Sequence, residues 1–583
     1  MLSAEHHWRH TAPVLPIAPN APSGGHQPRR TEYAYALASG MGLLEEKTPQ
    51  TYEAALASDE KEQWMASMKK EIDACVGNDT WDVVRRDELP AGTNIIPVKW
   101  VYRIKTDSSG RVTEYKSRIT PKGFKQKHGV DYFEVFAHTG KYKSLRLLLS
   151  LAAKYDLELN QMDVPSAFLQ AELKENVYME MPEGFGEPGM VCHLKKSLYG
   201  LKQAPRNWYL LFSQFIRKKM KFTPCVSDPC LFYKMSRTGR LILFFLFVDD
   251  VQGAYHKEDS NEWNEEKLKL KERFKIKDLG ESEWMLGMRI TRDRKRRTIK
   301  LDQELYVTTL LEKYGLLQCK TARTPAEQNK GAQEDDRDGG GKPVVQVKYQ
   351  ELVGSLLYAA ISTRPDIAYA VNMLTRHMQT PLQRHWKAAQ RVLRYLAGTK
   401  GDGLWFGRGA WDRNKSKDTA IVSAYSDADW GSDKSDRKSI TGWIAYVNGD
   451  PVSWASKKQK TVALSSCEAE LYAASAATNE LLWLRSLLDE LHFKLESPSL
   501  LLVDNQGAIE VATHGVKSER TKHVDIKYHH ITDTIEKGMV EARWVATGEQ
   551  KADIMTKALS APVHGGLKRA IMDVAHQVRQ SDD

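Results

Sequence analysis

Leu241-Ile242-Leu243-Phe244-Phe245-Leu246-Phe247-Val248-Asp249-Asp250 is the stretch on which the reading of this chain turns. An unbroken apolar run that ends in two adjacent carboxylates is costly, because a buried charge is disfavoured unless it is paired or bound to metal. The run is too short to span a bilayer. Its aromatic and branched content, with Gly253 just beyond, predicts a buried strand that stops at a tight turn. Both aspartates then sit at the turn of a hairpin, where a cation would neutralise them. A di-Asp after a strand is equally an ordinary turn, so the weight comes from segments upstream.

Leu157 to Leu169 is the first of these. Alternating apolar residues lead to Asp163, and Pro165 suits the first turn of a helix. A strand that ends in Asp and passes at once into a helix presents a carboxylate beside free backbone N–H groups, which can hold a metal and a phosphate together. Further upstream, Lys99–Ile104 and Thr113–Ile119 flank Asp107-Ser108-Ser109-Gly110, a hairpin signal. Lys99, Arg103, Lys105, Arg111, Lys116, Arg118 and Lys122 alternate there with Trp100, Tyr102 and Tyr115. That mixture suits phosphates and stacked bases, with a solvated strand face as the alternative.

The chain of 583 residues can hold roughly two to four domains. A formal charge of +10 suits a polyanionic partner. Cys75, Cys192, Cys225, Cys230, Cys319 and Cys467 show no Cys-x2-Cys spacing and no zinc knuckle, and so read as reduced and structural. With no signal peptide or transmembrane run, the expectation is a soluble chain with no membrane partner, acting in the cytoplasm, virus-like particles included, or in the nucleus. Met1 to about Thr48 is rich in Pro, Gly, His and Arg and is expected to be disordered. Ser144–Tyr155 reads as an apolar helix, and Arg292–Arg297 as an exposed hairpin tip or a grip on a nucleic-acid backbone. Glu327–Gly341 is a linker, Tyr349–Leu396 is largely helical with Gly398 as its stop, and Trp411–Lys417 is a second break.

A second carboxylate set follows. Asp427 and Asp504 end predicted strands, Glu470 lies on a helix opened by Ser465-Ser466, and Asp553 lies in Gln550–Lys557. Each alone reads as a turn or cap. Glu468 is a near neighbour of Glu470, and it is the run Glu470-Leu471-Tyr472-Ala473-Ala474 that better resembles the corresponding helix of a known family. His523, His529 and His530 have a spacing that fits no specific site.

Asp163–Leu169, the string Leu198-Tyr199-Gly200-Leu201-Lys202-Gln203-Ala204-Pro205-Arg206-Asn207-Trp208 and Phe247–Asp250 resemble, in this order, the polymerase motifs of copia-type LTR retrotransposon (Pseudoviridae) reverse transcriptases. Supporting pieces are Tyr115–Arg118, Lys277–Gly280, Leu352–Tyr358, Thr363–Asp366 and His385–Lys387, and the second acidic set resembles the ribonuclease H (RNase H) region of the same polyproteins. The resemblance implies an α/β (α+β) chain: a right-hand palm and fingers over residues 49–326, a linker over 327–345, a helical, thumb-like connection over 346–410, an RNase H-like domain over 419–560 and a C-terminal tail over 561–583.

It also implies the chemistry. Asp163, Asp249 and Asp250, with the Val164 carbonyl, would hold Mg²⁺, with Mn²⁺ as the alternative, and Asp250 would be the more peripheral ligand. Lys116, Arg118 or Lys105 would clamp the triphosphate, the Ser166 and Ala167 N–H groups would cradle it, and Phe168 would gate against the 2′-hydroxyl. Gly200 and Lys202 would lie beside nucleotide and template. Asp427, Glu470, Asp504 and Asp553 would hold the metals of hybrid cleavage. Two departures stand out: the family usually has Tyr at Phe247 and Lys-Thr at Pro165-Ser166. The expectation is therefore an RNA-directed DNA polymerase with RNase H activity whose partners are an RNA template, a DNA primer, the RNA–DNA hybrid and dNTPs. A remnant that only binds nucleic acid and a DDE-type transposase are the alternatives. The latter would leave the Tyr199–Trp208 string unexplained. No protease motif or integrase core is recognisable.

Overall fold

The run Leu241–Phe247 is a strand paired antiparallel with Leu231–Met235 on one side and with Asp250–Tyr255 on the other, and the latter pairs with Glu158–Asp163. Lys277–Glu281 and Thr223–Pro224 complete the sheet at its two edges. This computed structural model describes residues 48–106, 111–328, 341–407, 419–433, 435–495, 498–514 and 525–572. The expected disorder before Thr48, the turn Asp107–Gly110, most of the linker, the break Trp411–Lys417, His523 and the Lys105 side chain lie outside what it describes.

The run is apolar without interruption because the strand is buried on both faces. Leu243, Phe245 and Phe247 enter one core with the helix Tyr142–Tyr155, whereas Ile242, Phe244 and Leu246 enter a second with Trp208, Phe212, Trp263 and Phe274. Successive side chains of a strand point to opposite faces, so six consecutive apolar residues serve two cores.

The basic hairpin forms as expected between Val98–Thr106 and Val112–Pro121, but its aromatic residues face inward. Trp100 and Tyr102 are buried, and Trp64 of the helix Lys61–Gly77 packs edge-on to Tyr102 and Tyr115 at 5.1 and 4.9 Å. These rings are core, so the reading of them as stacking partners for bases is corrected. No α-helix follows Pro165 either. Ser166 takes a left-handed φ of +53°, and only the 3-10 turn Ala167–Gln170 forms before the strand Glu172–Glu180. A left-handed residue cannot continue a right-handed helix.

The helical connection is Gln346–Ser362, Ala368–Thr375 and Gln383–Ala397, ending at Gly398. It is not a unit by itself. Gly403–Phe406 adds to the sheet of Met288–Asp293 and Thr298–Asp302, so the boundary at residue 326 divides one packed module. At the tip between the last two strands, Arg292 bonds to Asp156 and the Leu157 carbonyl, and Arg294 to Glu158. Those two arginines grip the protein itself.

In the last domain five strands run in the order Asp450–Lys458, Ile440–Val447, Val422–Ala428, Ser499–Val503, Val540–Trp544. The last three are parallel, and Ile440–Val447 is antiparallel to both neighbours. The helix Ser466–Glu490 covers the sheet. This is the RNase H-like arrangement that the resemblance implied. The expected tail from 561 is instead, over Ala561–Met572, a helix whose Leu567, Ile571 and Met572 are buried and whose Lys568 pairs with Asp402. Among the described residues no helix is long and apolar enough to cross a membrane.

One buried arginine joins these parts. Arg146, on the helix Tyr142–Tyr155 (the palm helix), donates to the Val452 carbonyl (2.6 Å) and to the Ile361 and Ser362 carbonyls (2.9 and 3.0 Å), with its guanidinium 4.0 Å from the Trp454 ring centroid. Arg146→Ala leaves these carbonyls buried without their donor, a cost of about 3 kcal/mol or more. The expected outcome is a clear fall in Tm by calorimetry, and an unchanged Tm contradicts the assignment.

Candidate active sites

The first site is made by the strand ends of the palm. Asp250 lies opposite Asp163 in register, and the Val164 N–H donates to the Asp249 carbonyl at 2.9 Å. Val248 makes the turn with a φ of +57°, a strained conformation for a β-branched residue, and the Trp208 indole N–H holds its carbonyl at 2.6 Å. Burial, together with Asp163, raises the Asp249 carboxyl, against the pull of Arg118 and Lys116. Burial, then Asp249 and Asp163, raises Asp250 to about 7.

The residues expected on the nucleotide side fall into two groups. The Arg118 guanidinium lies 4.2 Å from the Tyr199 ring centroid, and Tyr199 packs against Phe168 at 4.5 Å. Burial, then Asp249, raises the Tyr199 hydroxyl, against the pull of Arg118. Phe168 and Ala167 are buried. Gly200 and Lys202 have contacts of their own: at φ +105°, a Cβ on Gly200 would meet the Pro121 carbonyl at 2.5 Å, so only glycine fits. Lys202 donates its N–H to Gln126 Oε1 (2.8 Å) and its ammonium to Tyr132 Oη (3.0 Å). Phe247 packs on Tyr142 at 6.1 Å, within the core.

At the second site Asp427, Glu470 and Asp504 offer ligand oxygens within 4.8 Å of one another, the one such set among the described residues. The palm carboxylates do not close to that distance. Glu468 caps its helix instead. Its carboxylate accepts the Leu464 N–H (2.7 Å) while its own N–H donates to Oγ of the N-cap Ser465 (3.1 Å). Glu470, two residues on, has a buried Oε2 with no hydrogen-bond partner, and burial with Asp427 and Asp504 raises it to about 9. Asp553 is brought in from the 3-10 turn Lys551–Met555, and burial and Asp427 raise it to about 6.

Three contributors were not singled out from the sequence. The Lys557 ammonium lies 3.2 Å from Asp427 and 2.8 Å from Asp553, the Thr556 hydroxyl donates to Asp427, and Gln550 donates to the Ser426 carbonyl at 2.9 Å. Burial alone would lower the Lys557 ammonium, and Asp427 and Asp553 more than reverse it. The four-residue spacing of Asp553 and Lys557 was the available signal.

Carboxylate oxygens at both sites suit a hard divalent cation, and the orphaned Glu470 oxygen fits that reading. Because folding raises Glu470 from 4.5, the metal-free protein keeps that contribution to stability below about pH 4.5 and loses it as the pH rises toward 9. Glu470→Gln should flatten the fall of Tm with pH, and Mg²⁺ should oppose that fall in the parent only. Equal pH slopes in both proteins contradict this.

Residues 78–328 match the family described as reverse transcriptase (RNA-dependent DNA polymerase). The chain is 37% identical over 541 residues to the retrovirus-related Pol polyprotein from transposon TNT 1-94 of Nicotiana tabacum, covering 91% of this chain and 39% of that one. It is 37% identical over 529 residues to the corresponding polyprotein from transposon RE1 of Arabidopsis thaliana, covering 90% and 34%. The Ty1-DR6 Gag-Pol polyprotein of Saccharomyces cerevisiae is 28% identical, over 86% of this chain and 28% of that one. A foamy viral protease-reverse transcriptase, solved in complex with RNA/DNA hybrid, aligns at 12% identity over 84% of this chain and 54% of that one, with a TM-score of 0.44. The chain thus spans well under half the length of these polyprotein relatives. The chain carries the reverse transcriptase domain over residues 78–328, and over nine-tenths of its length it is similar to the Pol polyproteins of copia-type plant retrotransposons.

Proposed function

We propose that the chain is an RNA-directed DNA polymerase with RNase H activity, copying retrotransposon RNA on a DNA primer and cutting the RNA of the hybrid. The observation that carries this reading is the presence of two acidic sites, half-buried Asp163 with Asp249 and Asp250, and Asp427 with Glu470 and half-buried Asp504, in one packed body. Asp163, Asp249 and the Val164 carbonyl are the residues that would hold divalent cations at the first site, with Asp250 peripheral. Asp427, Glu470, Asp504 and Asp553 would hold them at the second. Bound there, Mg²⁺ or Mn²⁺ supplies an activated hydroxyl or water and stabilises the leaving oxygen.

The chain's own residues do the rest. Arg118, held over the Tyr199 ring, offers its guanidinium to a triphosphate at Asp249, and Lys116 adds charge. The Ser166 and Ala167 N–H groups are assigned to the same phosphates. Phe168, fixed by Tyr199 behind it, walls the sugar and favours dNTPs. At the second site Lys557 holds Asp427 and Asp553 together until the hybrid and its cations enter.

Primer extension on a homopolymeric RNA template with Mg²⁺, beside hybrid cleavage, tests the assignment. Asp249→Asn/Asp250→Asn should lower extension about a hundredfold or more and leave cleavage intact, and Asp427→Asn should do the reverse. A folded parent chain that extends no primer with Mg²⁺ or Mn²⁺ overturns the polymerase reading.

A further inference from the structure

The segment from Lys122 to Lys141 crosses from the basic hairpin to the palm helix as a strap, and its polarity is inverted. Two of its polar side chains, Gln126 and Asp131, are inside. Asp131, 1% exposed, accepts the Asn94 amide (2.5 Å) and the Lys127 N–H (2.6 Å). Gln126 accepts the Lys202 N–H and donates to Gln203, which donates to the Asp131 carbonyl at 2.8 Å. A Cβ on Gly123 would come within 2.1 Å of the Gly200 carbonyl, so the strap is pressed onto the Tyr199–Lys202 loop.

Its large apolar side chains are outside. Phe124, Phe133 and Phe136 are 44%, 60% and 48% exposed, with Val130 beside them. Single exposed apolar residues are ordinary, but a group of them on a scaffold ordered by buried hydrogen bonds marks a contact surface. The charge around them is basic. Lys125 and Lys127 are exposed, the Lys125 ammonium lies 5.9 Å from the Phe124 ring centroid, and of the strap's two acids Asp131 is buried and Glu134 is tied to Arg206. Aromatic faces set among lysines match unpaired bases on a phosphate backbone, where every base offers a π-face.

We propose that this strap is a stacking platform for unpaired nucleotides, with Phe133 and Phe136 as its principal faces. The proposal rests on the polymerase reading for the identity of the strand, which would be single-stranded template beside the Tyr199–Lys202 loop. Fluorescence anisotropy of the full chain tests it, with an RNA–DNA duplex that is either blunt or carries an RNA overhang of about eight nucleotides. Phe133→Ala/Phe136→Ala should weaken binding to the overhang duplex about tenfold or more and leave blunt binding and Tm unchanged. Phe133→Trp/Phe136→Trp should restore it. Unchanged overhang affinity, an equal loss on the blunt duplex, or a loss of self-association by sedimentation in place of the binding change overturns the proposal. Primer extension by the parent chain is followed in parallel, so that failure of the polymerase reading is distinguished from failure of the platform.

Discussion

Carboxylates held away from water without enough partners are the constraint on which this structure depends. Burial raises Asp249, Asp250 and Glu470, and neighbouring acids add to it in each case. Such groups stay in place only where the surrounding fold over-determines them. At the palm, the strand Leu241–Phe247 does so by feeding two cores at once, while Trp208 and Val164 tie down the backbone of the turn. In the last domain the Ser465 cap and the Glu468 carboxylate on the Leu464 N–H fix the start of the helix that carries Glu470, and Thr556 and Lys557 hold Asp427.

The palm helix makes the two sites parts of one object. Arg146 reaches carbonyls of both the connection and the last domain, Ser150 bonds Asp450, and Lys143 pairs with Glu480 while lying 3.5 Å from the Trp483 ring centroid. From the other side, Glu490 accepts the Ser227 N–H and hydroxyl. Removing one partner of such a buried contact is costly, because the other is left away from water without it. The hydrophobic core runs without a break from Leu145 through Leu356 to Leu484.

Much of this was legible in the sequence because local chemistry decided it. The apolar run with its terminal acids, the strand leading to Asp163 and the serines before Glu470 each carry their own signal, and the structure forms a strand or helix at each. What was not legible depended on partners distant in the chain. A strand alternating aromatic and basic residues does not say which face is buried, and Trp64 decided it for Tyr102 and Tyr115. Nor could spacing show that Gly403–Phe406 would pair with Thr298–Asp302 across the linker, or that Ala561–Met572 would bury Leu567 and Ile571. The helix expected after Pro165 failed on a single left-handed residue, Ser166.

The central claim is that both carboxylate groups exist to bind divalent cations within one body. Mn²⁺ uptake by the full chain, followed by electron paramagnetic resonance, tests it most directly. The account predicts that Asp249→Asn/Asp250→Asn removes one part of the bound Mn²⁺, that Asp427→Asn removes the other, and that the losses add. Uptake indifferent to both sets of substitutions would contradict it.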